Sequence, residues 1–143
     1  MLNSCNEQVI YQKYKEISSA SWDYQYRIPF SFTIKDTASN YNTYFNIRLK
    51  STYLYSNIWI LLKKFNSSGA LVAEKKIEFK LADIDGRWYG QGLGDIIDFH
   101  ILMEENIKFL QAGNYTYYFN HEMRNDELDA VIDIGLTVRK TEN

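Results

Sequence analysis

Few side chains in this 143-residue chain could do covalent or metal chemistry: one cysteine (Cys5), two histidines (His100 and His121), and a scatter of acids around Asp83, Asp85, Asp95 and Asp98. Nucleophilic catalysis needs a nucleophile, a base and an orienting group in mutual reach. Neither histidine sits in a recognisable motif, and both fall in strand-like stretches, so they read as structural or surface residues. Zinc would need several Cys or His ligands at close spacing, which one terminal cysteine and two separated histidines do not supply. Asp83-x-Asp85-Gly86 places carboxylates beside a turn, where Asp95 and Asp98 could join by folding. The twelve-residue calcium loop is nevertheless incomplete, lacking a third acidic or Asn position after Gly86 and a closing Glu, and an Asx turn is the simpler reading. Gly90-Gln91-Gly92-Leu93-Gly94-Asp95 has the wrong glycine spacing for a dinucleotide fingerprint and no surrounding βαβ unit. It reads as a bulge or a close backbone approach. The sequence therefore assigns no catalytic residue, metal or cofactor, and the protein is expected not to be an enzyme.

Two other chemistries remain. Leu2-Asn3-Ser4-Cys5 matches the end of a bacterial lipoprotein signal, with Leu three positions before the cysteine and a small residue directly before it. The charged and apolar regions that precede such a box are missing, so the sequence is expected to begin inside the cleavage box, with Met1 added by truncation. Cys5 would then be the lipidated first residue, and a diacylglycerol with an N-acyl chain suffices for stable anchoring. The second chemistry is aromatic stacking. Tyr53, Tyr55, Trp88 and Tyr89 are candidates for a partner or glycan surface, whereas Trp59 is read as core packing.

These groups must be positioned by strands. Hydrophobic residues make up 45% of the chain, charged ones 24% and aromatics 16%, including 12 Tyr. That is a globular composition leaning towards β structure. The net charge of -2, without a basic stripe, argues against nucleic acid as partner. No run approaches the 18 or so apolar residues of a membrane-spanning helix. Phe30-Phe32-Ile34, Phe45-Ile47-Leu49, Ile77-Phe79-Leu81, Tyr115-Tyr117-Phe119 and Ile132-Ile134-Leu136-Val138 each alternate with polar residues, the period of a half-buried strand. The continuous run Ile58–Leu62 suggests a central strand covered on both faces. Turn signals at 36–40, 66–69, 83–86, 112–114 and 125–126 separate the runs. The pattern predicts an all-β fold: an antiparallel, jelly-roll-like β-sandwich of about eight strands. Ile10, Tyr14 and Ile17 lie near helical spacing, so residues 1–20 are expected to be a lipobox remnant and a short tether or helix, and 21–143 a single sandwich domain.

The ordered set Tyr11, Tyr14-Lys15, Trp22, Asp36-Thr37, Tyr41-Asn42, Ile47-Arg48, Tyr53 to Trp59, Leu81-Ala82-Asp83, Asp85-Gly86, Trp88, Gly90, Gly92, Gly94-Asp95, Phe109, Gly113, Tyr115, Met123-Arg124 and Asp133-Ile134-Gly135 resembles the gliding-motility lipoprotein family GldH of the Bacteroidetes. The similarity runs from Cys5 to about Lys140. It implies an envelope lipoprotein with its N-terminal cysteine where Cys5 stands, and it brings no established catalytic residues. Asp36-Thr37-Ala38 also resembles the Asp-Thr-small sequence at which Bacteroidetes O-glycosylate envelope proteins, making Thr37 a candidate acceptor beside the plainer reading of an Asp-Thr turn. The expected function is that of a non-catalytic lipoprotein anchored by Cys5 in the outer membrane and contacting an envelope protein of a motility or envelope machine. Asn6-Glu7-Gln8-Val9 offers one acid only after the cysteine, which favours a periplasm-facing position over the cell surface. The alternative is a carbohydrate-binding sandwich module. A glycan ligand fits that alternative, and no other small molecule is expected.

Overall fold

Alternation of apolar and polar side chains becomes strand wherever it is strong. The computed structural model describes residues 6–142, so Cys5 lies outside the described residues. The strands are β1 (Asn6–Glu16), β2 (Ser21–Asp23), β3 (Ile28–Ile34), β4 (Asn40–Lys50), β5 (Asn57–Phe65), β6 (Leu71–Lys80), β7 (Gln91–Leu93), β8 (Ile96–Ile107), β9 (Gly113–His121), β10 (Glu127–Asp129) and β11 (Val131–Glu142). One sheet has the order β1-β11-β4-β8-β7 and the other β3-β9-β5-β6, while β2 and β10 form a separate ribbon. Set aside the three short strands, and the eight long ones follow the jelly-roll order. All pairings are antiparallel.

The inward faces interlock as aromatic layers. Phe45 stacks on Phe79 at 4.5 Å and meets the edge of Phe119 at 5.3 Å. Phe32 meets Tyr117 at 5.2 Å. Each such fully buried side chain stabilises the fold by roughly 1.5–3 kcal/mol relative to exposure.

Two expectations are corrected. The segment 6–16 is neither tether nor helix, because it pairs with β11 along its whole length. A bulge between Val9 and Tyr11 breaks the alternation and turns both Ile10 and Tyr11 onto the core, which disguises a strand as helical spacing. Tyr11 reaches Phe32 of the opposite sheet at 5.6 Å. Secondly, Ile58–Leu62 is covered on one face only. Ile58, Ile60 and Leu62 are buried, but Trp59 is 39% exposed, since among the described residues no strand or helix packs on the outer side of the four-stranded sheet.

The connections define two ends. Asn6 pairs with Glu142, Thr141 with Asn40, and Tyr41 with Ile107. The start of β1 therefore shares an end with the β3–β4 loop (35–39), the β8–β9 loop (108–112) and the β5–β6 turn (66–70). The β2/β10 ribbon caps the other end, where Trp22 is fully buried and donates from Nε1 to the Tyr26 carbonyl at 3.0 Å.

His121 is buried under this cap. Its Nε2 donates to the Trp22 carbonyl at 2.9 Å, with the Asp126 carbonyl at 3.2 Å, and its Nδ1 accepts from the Met123 N–H at 3.2 Å. The neutral ring is thus satisfied on both nitrogens. Burial lowers its pKa, against the pull of the two carbonyls, Asp23 and Glu122. The unfolded chain then takes up the proton first. Stability from this site is complete above the ordinary imidazole value and is lost as pH falls through it towards the folded value. The expected result is an NMR titration midpoint for His121 below that of an unfolded histidine peptide, and a melting temperature that falls between about pH 7 and about pH 5. A His121 midpoint at or above the peptide value would contradict this.

Candidate functional site

The four aromatic rings expected to form a surface do not form one. Tyr53 is only 5% exposed; its hydroxyl donates to the Asn57 carbonyl at 2.8 Å, and its ring meets Tyr55 edge-on at 5.7 Å. The cause is the 51–56 connection, which folds Tyr53 back over the end of the core. Trp88 is half-buried against Tyr53 and Phe99, at 6.4 and 6.3 Å, through the bridge between Ala82 and Trp88. The Tyr55 hydroxyl donates to Asn125 Oδ1 at 2.6 Å. Tyr89 alone of the four is open, at 61% exposure. It borders the glycine-rich segment, where a Cβ on Gly90 would lie 2.6 Å from the Asp98 carbonyl, so β7 can reach β8 only past a glycine.

The acidic turns are occupied by their own backbones. Asp83 Oδ1 accepts from the N–H of Asp85 and of Arg87 at 2.9 and 2.8 Å. Asp36 Oδ1 accepts from the Ala38 N–H at 2.9 Å. Hydrogen bonds from Ser39, Ala38 and Lys140 hold its carboxyl well below the usual carboxylate range. Thr37 is exposed in this loop, at the end of the sandwich where β1 begins.

What the fold does assemble is the outer face of the five-stranded sheet. On β4 the outward positions are Asn42, Tyr44, Asn46 and Arg48, and on β11 they are Asp133, Gly135, Thr137 and Arg139, paired in register. The β8 neighbours are Asp98, His100 and Leu102. A directional chain of hydrogen bonds crosses four strands here. His100 Nδ1 donates to Asn46 Oδ1 at 2.5 Å, Asn46 Nδ2 to Thr137 Oγ1 at 2.8 Å, and Thr137 Oγ1 to Gln12 Oε1 at 2.8 Å. The Tyr44 ring stacks on His100 at 4.4 Å, under the Arg139 guanidinium at 5.3 Å, and its hydroxyl donates to Glu7 at 2.9 Å. Asn42 also donates to Glu7. Arg48 pairs with Asp133 at 3.1 Å and Asp98 at 3.9 Å, with the Tyr14 ring 6.0 Å away. Burial raises the Asp133 pKa against the opposing pull of Arg48. Burial, then Arg139, lowers that of His100.

The Tyr14 ring lies against Gly135, where a Cβ would come 2.7 Å from the ring and 2.9 Å from the Lys13 carbonyl. Gly135→Ala therefore has to push β1 off β11. We expect a loss of about 1–3 kcal/mol in urea unfolding and faster amide exchange confined to β1. Tyr14→Ala in the same chain should recover part of that loss, because it removes one of the two obstacles.

This face is a surface of tyrosines, arginines and amides held by one another. His100 is engaged through Nδ1 by the Asn46 amide and by stacking on the Tyr44 ring. No group of three or more potential metal-binding side chains occurs among the described residues. Sequence reasoning reached Tyr14, Asn42, Arg48, Asp133 and Gly135 as carriers of a resemblance and as members of single segments, not as one surface. A signal was present: Asn and Gly at outward strand positions are unusual, and here both strands carry them side by side.

A sequence model described as GldH lipoprotein matches residues 9–138. A protein named gliding motility lipoprotein GldH homolog, from Christiangramia forsetii, is 25% identical across all of this chain and 91% of its own. The gliding motility lipoprotein GldH of Flavobacterium johnsoniae is 24% identical over 98% of this chain and 90% of its own. Among solved structures, dimeric latent PorU from Porphyromonas gingivalis aligns with 98% of this chain and 13% of its own, at 10% identity and a TM-score of 0.42. A likeness at that level carries no argument.

Proposed function

The chain belongs to the GldH lipoprotein family, and from that premise we propose that it is an envelope lipoprotein, lipidated at Cys5, which works without catalysis by docking the outer face of its five-stranded sheet onto a protein of the gliding or envelope machinery. The names of its two relatives support the setting. The observation that carries the mechanism is the pre-arranged lattice of Tyr14, Tyr44, Arg48, His100 and Arg139. Tyrosine and arginine are the residues that concentrate binding energy at protein contacts. Here their rotamers are already fixed by mutual contacts, so docking would cost little side-chain entropy. The exposed Leu102, beside Tyr44 in register on β8, adds an apolar contact at the margin of the polar face.

The protein would sit in the outer membrane facing the periplasm. Protease shaving of intact cells should leave it uncut, and digestion would place it on the cell surface instead. The partner is tested by mild crosslinking in the host, followed by affinity capture from solubilised membranes. One reproducible envelope protein is the expected result, and its absence from replicate captures would count against a contact role.

One observation favours a second reading. Trp59 stands exposed in a cleft of about 540 Å³ with Tyr55, Asn57, Arg124 and Asn125, an aromatic ring beside planar polar groups, as in sugar recognition. A glycan array with wild type and Trp59→Ala separates the readings: saccharide binding lost in the variant would support it, and none in the wild type would dismiss it.

A further inference from the structure

β1 begins at Asn6 and is hydrogen-bonded into the sheet from its first residue, where Asn6 pairs with Glu142. Cys5 is the preceding residue, and one peptide unit separates their Cα atoms by about 3.8 Å. An anchor at Cys5 therefore has no tether, and the end of the sandwich where β1 starts must lie at the membrane surface. That end is built for contact with an apolar medium. Leu110 is 90% exposed at the tip of the β8–β9 loop. The loop does not place it there by laxity: its neighbour Phe109 is buried against Tyr41 and Tyr115 at 5.4 and 4.7 Å, and the Gln111 carbonyl accepts from the Tyr115 hydroxyl at 2.7 Å. Beside it the β5–β6 turn is pinned by Asn66, whose Oδ1 accepts from the N–H groups of Ser68 and Ala70 at 3.1 and 3.0 Å, and it exposes half of Leu71 and of Val72. The two loops touch, since Gly113, which follows the first, lies against the Ser67 side chain of the second.

We infer that this end docks on the lipid bilayer, with Leu110, Leu71 and Val72 dipping into the headgroup–acyl boundary, so that the domain stands upright on the membrane. The inference rests on the lipid-anchor reading for its physiological setting. Leucine and valine side chains at a fixed loop tip bury their apolar area when seated in that boundary, and Ser67, Ser68 and Lys108 around them suit the headgroup layer. The opposite end also exposes apolar residues, Leu54, Ile84 and Leu93. Chain connectivity is what assigns the lipid to the Asn6 end. Strands of 11 or 12 residues then hold the far end roughly 35–40 Å above the bilayer, with the outer face of the five-stranded sheet running perpendicular to it.

The test uses the full chain coupled through the thiol of Cys5, its only cysteine, to a maleimide phospholipid in phosphatidylethanolamine–phosphatidylglycerol vesicles, read by amide hydrogen exchange. Exchange in 66–70 and 108–112 should slow about tenfold on tethering, while 83–86 and 94–95 stay unchanged, and the Leu71→Ser/Leu110→Ser chain should lose the protection. Unchanged exchange in both loops, or protection of 83–86 instead, would overturn the inference. So would finding native Thr37 glycosylated, because a glycan in the β3–β4 loop would hold the same end off the bilayer. Mass spectrometry of the native protein tests the anchor separately: an unacylated Cys5 would remove the lipid-anchor reading and leave the vesicle result to stand by itself.

Discussion

Replacing Glu104 with alanine is expected to cost about 3–5 kcal/mol, because it removes one partner of a buried ion pair and strands the others. Glu104 is 4% exposed. Its Oε1 accepts from Thr43 Oγ1 at 2.9 Å and from the Tyr117 hydroxyl at 2.7 Å, and its Oε2 meets Lys64 Nζ at 2.6 Å. Thr43 and Glu104 belong to the five-stranded sheet and Lys64 and Tyr117 to the other, so one carboxylate ties the two layers together. Burial and then the Glu104 charge push the Tyr117 phenol far above its ordinary pKa. The loss is a large share of the roughly 5–15 kcal/mol that holds a domain of this size together. Urea unfolding of Glu104→Ala, Glu104→Gln and Glu104→Leu/Lys64→Met measures it. The Gln variant keeps the contacts of Thr43 and Tyr117 and should lose less. The double variant replaces the pair with apolar bulk and should recover most of the stability. A loss under about 1 kcal/mol in the alanine variant would contradict the account.

Glu104 also explains what happens at an open edge. β7 pairs with β8 through Ile96, Ile97 and Asp98, so among the described residues β8 beyond Asp98 presents an unpaired edge. Between Thr43 and Tyr44 the register slips, Met103 becomes the extra residue of a bulge, and Glu104 turns inward. An inward charge and a bulge both discourage another strand from adding there. The stable double variant should accordingly self-associate more than wild type at equal concentration.

The same bulges show why some strands were legible in the sequence and others were not. Phe30-Phe32-Ile34 and Ile134-Leu136-Val138 keep strict alternation, and both form strands, β3 and part of β11, with those residues inside, whereas Ile132 falls on a bulge between Val131 and Asp133 and is only partly buried. β1 and β8 each carry a bulge that spoils the period, at Ile10 and at Met103, so β1 looked helical and β8 gave no clean run. Ile58–Leu62 announced a strand, but a run of apolar residues does not say which face is covered, and Trp59 is on the bare one. At the site, the outward polar residues of β4 and β11 were readable strand by strand. Their assembly was not, because the registers that bring Tyr14 onto Gly135 and Arg48 between Asp98 and Asp133 join residues from opposite ends of the chain.

Leu102→Glu is expected to leave the fold intact and to weaken partner binding by about 100-fold, near 2.8 kcal/mol at 1.4 kcal/mol per factor of ten. Leu102 is 43% exposed, so the substitution breaks no core contact, and its effect on stability should stay within about 0.5 kcal/mol. Buried under a partner, however, the new carboxylate would be desolvated without a counter-charge. Affinity for the captured partner, measured for wild type and variant with matched urea curves, separates lost contact from lost fold.

On the proposed function, one face of the sandwich, the outer side of the five-stranded sheet, meets the partner. Photo-crosslinking residues placed one at a time in the host protein test it most directly: at Tyr14 and Leu102 on that face, and at Ser31 and Lys63 on the outer side of the other sheet. Crosslinks to the same envelope protein from Tyr14 and Leu102, with none from Ser31 or Lys63, are the result predicted. Crosslinks from Ser31 and Lys63 instead, or equally from both sides, would contradict it.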